Sequence, residues 1–295
     1  MIITDSKIGI SHEEKQQIAK DLEAYVIANA GGSRNKASKM LKKVSVSYIS
    51  QILNGKFEAM SDNAWRNLQK QVSTSYEGEW QVVSDIANYG KISHLFEDAR
   101  SFAMTFGIIG NAGWGKTETA KAIGKQENVF LIRCNEYYNR KSFLRELMSV
   151  MGLEDSGTNI HEMMITIINH MRRLDHPLII MDEVDKLSDQ LLYFFISLYN
   201  ALEGECGFVL MGAPFLQKRI EAGASKNKKG YKEIFSRLGG KFIAVEKPNE
   251  NDIKRIISAN GVHDEMTVAR IVNDSNHDLR RVKRLVHAEL RKEVA

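Results

Sequence analysis

Residues 106–125 read FGIIGNAGWGKTETAKAIGK, and this stretch decides the fold. Apolar residues run up to Gly110, small residues fill the next turn, and Gly115-Lys116-Thr117 opens a run of helix formers. Gly110, Gly115, Lys116 and Thr117 satisfy GxxxxGK[ST] at every fixed position. The chemistry needs those residue types. Glycines let backbone N–H groups turn inward around a phosphate without a Cβ clash. A helix starting at Lys116 aims its positive dipole end at the same point. The lysine reaches the outer phosphates and the threonine hydroxyl faces Mg²⁺. With "MTFGIIG" read as a buried strand and "KTETAKAIGK" as a helix, the stretch predicts an ATP and Mg²⁺ site. Its binding residues are Gly110, Asn111, Ala112, Gly113, Trp114, Gly115, Lys116, Thr117 and Glu118. Trp114 is unusual there; it either shields the phosphates or packs.

About seventy residues on, "PLIIMDEVDKL" (177–187) is an apolar strand ending in Asp182-Glu183. Strand ends form the ligand crevice of such sheets. Asp182 therefore joins Thr117 at the metal, through water, and Glu183 is placed to polarise an attacking water. Alone, an Asp-Glu pair is a solvated strand end; behind a phosphate loop it is the second half of an ATPase site. Further strands are expected at 128–134, 207–213 and 241–248, with helices near 140–151, 160–174 and 188–203. That alternation predicts a parallel five-stranded α/β sheet. From Asn249 to the end, 3.6-residue periodicity predicts a helical lid.

A small all-α domain precedes this core. "EEKQQIAKDLEAYVI" places Ile18, Leu22, Tyr25 and Val26 on one helical face. Ser33 then caps a short helix with Ala37, Met40 and Leu41 inward. Ser45 caps a third helix that stops at Gly55, and a fourth runs from Ser61 to Val72. Helix, turn, helix and "ILNGK" resemble the helix-turn-helix of phage-repressor-like proteins. In that arrangement Ser47, Tyr48 and Gln51 face bases or phosphates of duplex DNA, and Arg34 and Lys36 flank its backbone, with Lys39, Lys42 and Lys43 beside them. Lys42-Lys43-Val44 stands where the turn's usual glycine is expected. A bundle used for protein contacts is the alternative. The expected order is 1–72 helix-turn-helix, 73–90 linker, with Trp80, Val82 and Ile86 packing on the next domain, 91–248 core and 249–295 lid.

Charge points the same way. Residues 1–72 carry 11 Lys/Arg against 7 Asp/Glu, the whole of the net +4, while the remaining 30 of each cancel. Hydrophobic content of 43% with only three prolines implies a folded, helix-rich chain. No apolar window nears twenty residues, so no membrane partner is expected and the location expected is cytoplasmic. Cys134 and Cys206 are isolated and expected buried and reduced. "KRIEAGASKNKKGYK" (218–232) reads as a glycine-containing basic loop. Lys226, Lys228 and Lys229 there either contact DNA phosphates or simply face water.

The order of elements over 80–295 resembles the AAA+ ATPases. That resemblance implies a homo-oligomer in which Arg237, in "EIFSRLGGKF", acts in trans on a neighbour's γ-phosphate. It also implies that Arg280, or the adjacent Arg281, in "NHDLRRVKRLV" senses nucleotide. One position departs: "FVLMGAP" ends in Gly212-Ala213-Pro214, without the family's polar residue. Slow turnover follows, or another residue such as Gln217 takes over the task. Within the family the layout is similar to the transposition target-selection ATPases, on "GNAGWGKTE", "LIIMDEVDKL", "GFVLMGAP…IFSRL" and the N-terminal helix-turn-helix. What this implies is sequence-nonspecific, ATP-dependent binding of double-stranded DNA as a filament or ring, and a transposase as partner. A helicase loader or replication helper, and a transcription regulator with an ATPase switch, are the alternatives.

Overall fold

The computed structural model describes residues 10–72, 80–154 and 159–294. The chain divides into two units, Met1–Trp80 and Gln81–Ala295. Of the expected linker, 73–79 lies outside the described residues.

In the first unit α1 (His12–Ala30) begins at a reciprocal cap. The Ser11 hydroxyl accepts the Glu14 N–H at 3.1 Å, and the Glu14 carboxylate accepts the Ser11 N–H at 2.8 Å. Such a cap stabilises a helix by about 1 kcal/mol. α2 (Arg34–Met40), α3 (Val46–Leu53) and α4 (Asp62–Val72) follow, the first two capped by Ser33 and Ser45. Ile18, Leu22, Val26, Ala37, Leu41, Ile49 and Ile52 close around Trp65 and Leu68. Met40, expected inward, is 49% exposed. The helix ends there and the chain is extended at Leu41, which is buried as expected, while Met40 is left facing outward. Between α2 and α3, Lys43 itself adopts φ +62°, supplying the left-handed turn that a glycine would make more easily. Gln71 on α4 holds that turn: its Oε1 accepts the Lys42 N–H at 2.6 Å and its Nε2 donates to the Lys42 carbonyl at 3.0 Å.

The second unit opens with α5 (Ala87–Ser101), so the last residues of the expected linker are helix. Then come β1 (Thr105–Ile109), α6 (Lys116–Ile123), β2 (Val129–Arg133), α7 (Arg140–Val150) and α8 (Ile160–Met171). Next are β3 (Leu178–Asp182), α9 (Asp189–Leu202), β4 (Gly207–Gly212), α10 (Pro214–Ser225), α11 (Tyr231–Arg237) and β5 (Ile243–Ala244). α12 (Glu250–Ala259), α13 (Glu265–Ser275) and α14 (Leu279–Val294) complete it.

The five strands form one parallel sheet in the order β2-β3-β4-β1-β5. Every residue of β3 and β4 is buried, as a sheet covered on both faces requires. Alternation splits β3 between two cores: Ile179 and Met181 pack toward α7–α11, Leu178 and Ile180 toward α5 and α6. Register aligns Ile109 with Gly212 and Arg133 with Asp182, bringing the C-terminal strand ends into one row.

The basic stretch 218–232 is not a loop throughout. Lys218 to Ser225 belong to α10, and the turn is confined to 226–230. Gly223 marks a close approach rather than a flexible point, since a Cβ there would lie 2.2 Å from Tyr231 Cδ1. Both cysteines are buried and free, and burial pushes both thiols up.

Candidate active site

The loop from Gly110 to Gly115 joins β1 to α6, with Gly113 and Gly115 at φ +80° and +92°. Lys116 is buried to 9% exposure and its ammonium donates to the carbonyls of Gly110 (2.5 Å) and Asn111 (3.1 Å). Burial lowers its pKa; Asp182 and Asp185 oppose that, while the positive charge of Arg280 adds to it. Arg280 is thus within electrostatic reach of the loop, carried there by the start of α14. The Leu279 N–H donates to the Gly113 carbonyl at 2.9 Å, and the Asp278 carboxylate accepts the Arg280 N–H at 2.8 Å. Arg281 is exposed.

Asn111 and Ala112 are exposed at the loop's rim. Glu118 points outward to Lys121 at 2.8 Å. Trp114 is half-buried against the cluster around Ile108, so packing accounts for its side chain. Its carbonyl is fixed by Asn88, whose Nδ2 donates to Trp114 (3.1 Å) and to the Glu246 carbonyl (2.7 Å). Asn88 is a buried amide that sequence reading missed, because nothing around it forms a motif.

Thr117 donates to Asp182 Oδ2 at 2.6 Å, and Asp182 Oδ1 accepts the Glu183 N–H at 2.9 Å. Burial raises the Asp182 pKa, with the Thr117 bond working against it. A hydroxyl and a carboxylate side by side are the hard oxygen donors that suit Mg²⁺. Among the described residues no group of three His, Cys, Asp or Glu is gathered for a metal, so Mg²⁺ would be held by Thr117 and Asp182 with water and phosphate oxygens. There it would neutralise charge on the phosphates.

Glu183 stands at φ +58°, strained backbone for a non-glycine residue beside a strand end. Its carboxylate faces β2. Arg133 donates through Nε (2.9 Å) and Nη2 (3.0 Å), and Lys186 through its ammonium (2.6 Å). The Arg133 fork, with Lys186 assisting, holds this carboxyl down at about 2. The sequence held no signal for this clamp, since Arg133 reaches Glu183 only through the β2–β3 register.

Arg237 bonds Glu203 and Glu233, each at 3.2 Å, and lies 4.6 Å over the Tyr199 ring. Those partners are Tyr199 on α9, Glu203 just after it and Glu233 on α11, and its buried Nε has no partner among the described residues. Gln217, on α10, donates to Glu221 at 2.8 Å.

In the first unit, Arg34, Lys36, Ser47 and Tyr48 are exposed and Gln51 is half-buried. In the second, Lys228 pairs with Asp189 and lies 5.2 Å over the Tyr231 ring, while Lys229 lies 5.0 Å over Tyr193. Lys226 lines a shallow cleft of about 580 Å³ with Phe215, Lys218 and Ala222. Arg219 is internal to the fold: it bonds Asp189 (2.6 Å), Tyr231 (3.2 Å) and the Leu187 carbonyl (2.7 Å).

A five-stranded parallel sheet, a phosphate loop after β1, carboxylates after β3 and helices trailing β5 define an AAA+ P-loop fold. Residues 103–220 match the family model described as an AAA domain. No curated protein matches the sequence. Among solved structures, a RuvB mutant of Thermotoga maritima is similar at 16% identity and a TM-score of 0.42, over 68% of this chain and 61% of that one. The Drosophila ORC bound to DNA is similar at 10% identity and a TM-score of 0.41, over 96% and 62%. The chain thus spans about three fifths of the length of each. Among the described residues, no helix is long and apolar enough to cross a membrane.

Proposed function

We propose that this chain hydrolyses ATP and uses the nucleotide state to assemble on double-stranded DNA, where it recruits a transposase. The observation that carries the ATPase part is the joined pair Thr117–Asp182 beside the buried ammonium of Lys116. The phosphate loop binds the nucleotide's phosphates, Thr117 and Asp182 hold Mg²⁺, and Glu183 polarises the attacking water once it leaves Arg133. Arg280 reads the nucleotide within the chain, and Arg237 serves the neighbouring protomer's ATP. Residues 1–72, with Ser47, Tyr48 and Gln51 on an accessible helix, contact DNA; Lys226, Lys228 and Lys229 add phosphate contacts from the ATPase unit.

The transposase partner rests on the layout's resemblance to transposition target-selection ATPases. Electron microscopy on long duplex DNA tests the reading. Protein-coated duplexes are expected with a non-hydrolysable ATP analogue and not without it; bare DNA in both refutes it. Lys116→Ala should abolish coating, and Glu183→Gln should keep binding while blocking hydrolysis. A second reading, a DNA-reading regulator with an ATPase switch, is favoured by the accessible polar residues of α3. A preferred palindromic site in a binding selection would establish it instead.

A further inference from the structure

We propose that Asp185 orients the water that attacks the terminal phosphate; this rests on the ATPase reading above. Its carboxylate occupies the end of β4, where the chain has only Gly212, Ala213 and Pro214 of its own. Asp185 Oδ1 accepts the Ala213 N–H at 3.0 Å. The carbonyl of that same peptide unit, on Gly212, accepts the N–H of Gly110 at 3.2 Å. A single peptide therefore links Asp185 to the first residue of the phosphate loop. Gly212 makes room for it: a Cβ there would lie 2.7 Å from Asp185 Oδ1 and 2.9 Å from Leu216 Cδ2. Arg219 fixes the supporting turn by donating to the carbonyls of Asp185 (3.3 Å) and Leu187 (2.7 Å).

Sheet order separates the two carboxylates. β3 lies between β2 and β4, and the phosphate loop follows β1, on the far side of β4. Glu183 is bonded toward β2 through Arg133; Asp185 is bonded toward β4 and the loop. Electrostatics agrees, since Asp185 acts on the Lys116 ammonium more strongly than Glu183 does. Asp185 Oδ2 accepts no hydrogen bond from the described residues and is available to a water. In the reaction the water oxygen bonds to the γ-phosphorus as the bond to the bridging oxygen breaks, its electron pair leaving on ADP. The hydrogen shared with Asp185 stays with the product phosphate. The other proton goes to Glu183 and then to solvent.

The test compares the full chain as wild type, Asp185→Asn, Asp185→Ala and Lys116→Ala. Asparagine keeps an oxygen for the Ala213 N–H and removes only the charge. Single-turnover hydrolysis in Asp185→Asn should fall about 100-fold, the scale of a misoriented reactant. ATP-analogue binding and melting temperature should stay near wild type, while the extra affinity for ADP–aluminium fluoride over ADP disappears. Lys116→Ala should lose nucleotide altogether. Unchanged hydrolysis and aluminium fluoride affinity in Asp185→Asn overturn the proposal. So does a loss of hydrolysis matched, in both Asp185 variants, by equal losses of ATP affinity and melting temperature, which marks a packing role. If wild type neither binds nor hydrolyses ATP, the ATPase reading itself falls, and this proposal with it.

Discussion

Replacing Arg133 with alanine should make ATP hydrolysis faster, because the catalytic candidate Glu183 is held in the wrong direction. Its carboxyl is drawn from 4.5 to about 2 by its surroundings. At 1.36 kcal/mol per pH unit, that net shift corresponds to about 3 kcal/mol, which is what remains after burial has opposed the groups favouring the charged form. Lys186 takes a share, and the Arg133 side chain is 61% exposed, so water screens it. The bidentate fork is then worth about 1–1.5 kcal/mol, which limits the freed carboxylate to a roughly five- to tenfold larger population without it. Single-turnover hydrolysis of bound ATP by Arg133→Ala should rise by up to that factor, and ATP affinity should hold. Added salt should quicken the wild type and leave the variant nearly unaffected. A rate equal to or below wild type, at undiminished ATP affinity, refutes the clamp. The pair also has a pH signature. Glu183's folded pKa lies below its ordinary value, so the stabilisation is complete above about 4.5 and lost as pH falls toward 2. The melting-temperature gap between wild type and Arg133→Ala should close across that window; a gap independent of pH contradicts the assignment.

Lys43→Gly should relieve the left-handed backbone at the turn, stabilising the first unit by about 1 kcal/mol; slower amide exchange in α2 and α3 would show it, and faster exchange would refute it. Gly223→Ala places a methyl against Tyr231 and should cost about 1–3 kcal/mol, read as a lower melting temperature; an unchanged melt would mean the two helices separate freely. Lys226→Ala should lower the salt slope of DNA binding by roughly one, as loss of one phosphate contact does. Lys228→Ala should shift that slope less and lower the melting temperature, since Lys228 is engaged by Asp189 and Tyr231; the reverse pattern would exchange their roles.

What could be read from the sequence follows the range of the forces that leave a mark on it. The phosphate loop was legible because backbone geometry demands its glycines at fixed offsets, and β3 because a fully buried strand must be apolar throughout. The Ser33 and Ser45 caps were legible for the same local reason. The stretch 218–232 was misread because glycine has two uses. Gly223 serves close packing against Tyr231, a contact eight residues away that composition cannot distinguish from flexibility. Met40 was misplaced because α2 ends at it and the chain turns extended at Leu41, so of the three residues expected inward only Ala37 and Leu41 are buried.

The site's finer wiring is non-local and left almost no trace. Asn88 meets Glu246 across 158 residues, and Arg133 meets Glu183 across 50. The end of β4 is the instructive case. Read along the chain, Gly212-Ala213-Pro214 offers no polar side chain. In the fold, the missing side chain is what admits the carboxylate of Asp185, 28 residues away from the N–H that holds it. A glycine at a strand end can therefore signal a polar group delivered from a neighbouring strand's turn. For this chain, the gap in the motif and the extra acid after Asp182-Glu183 are two halves of one arrangement.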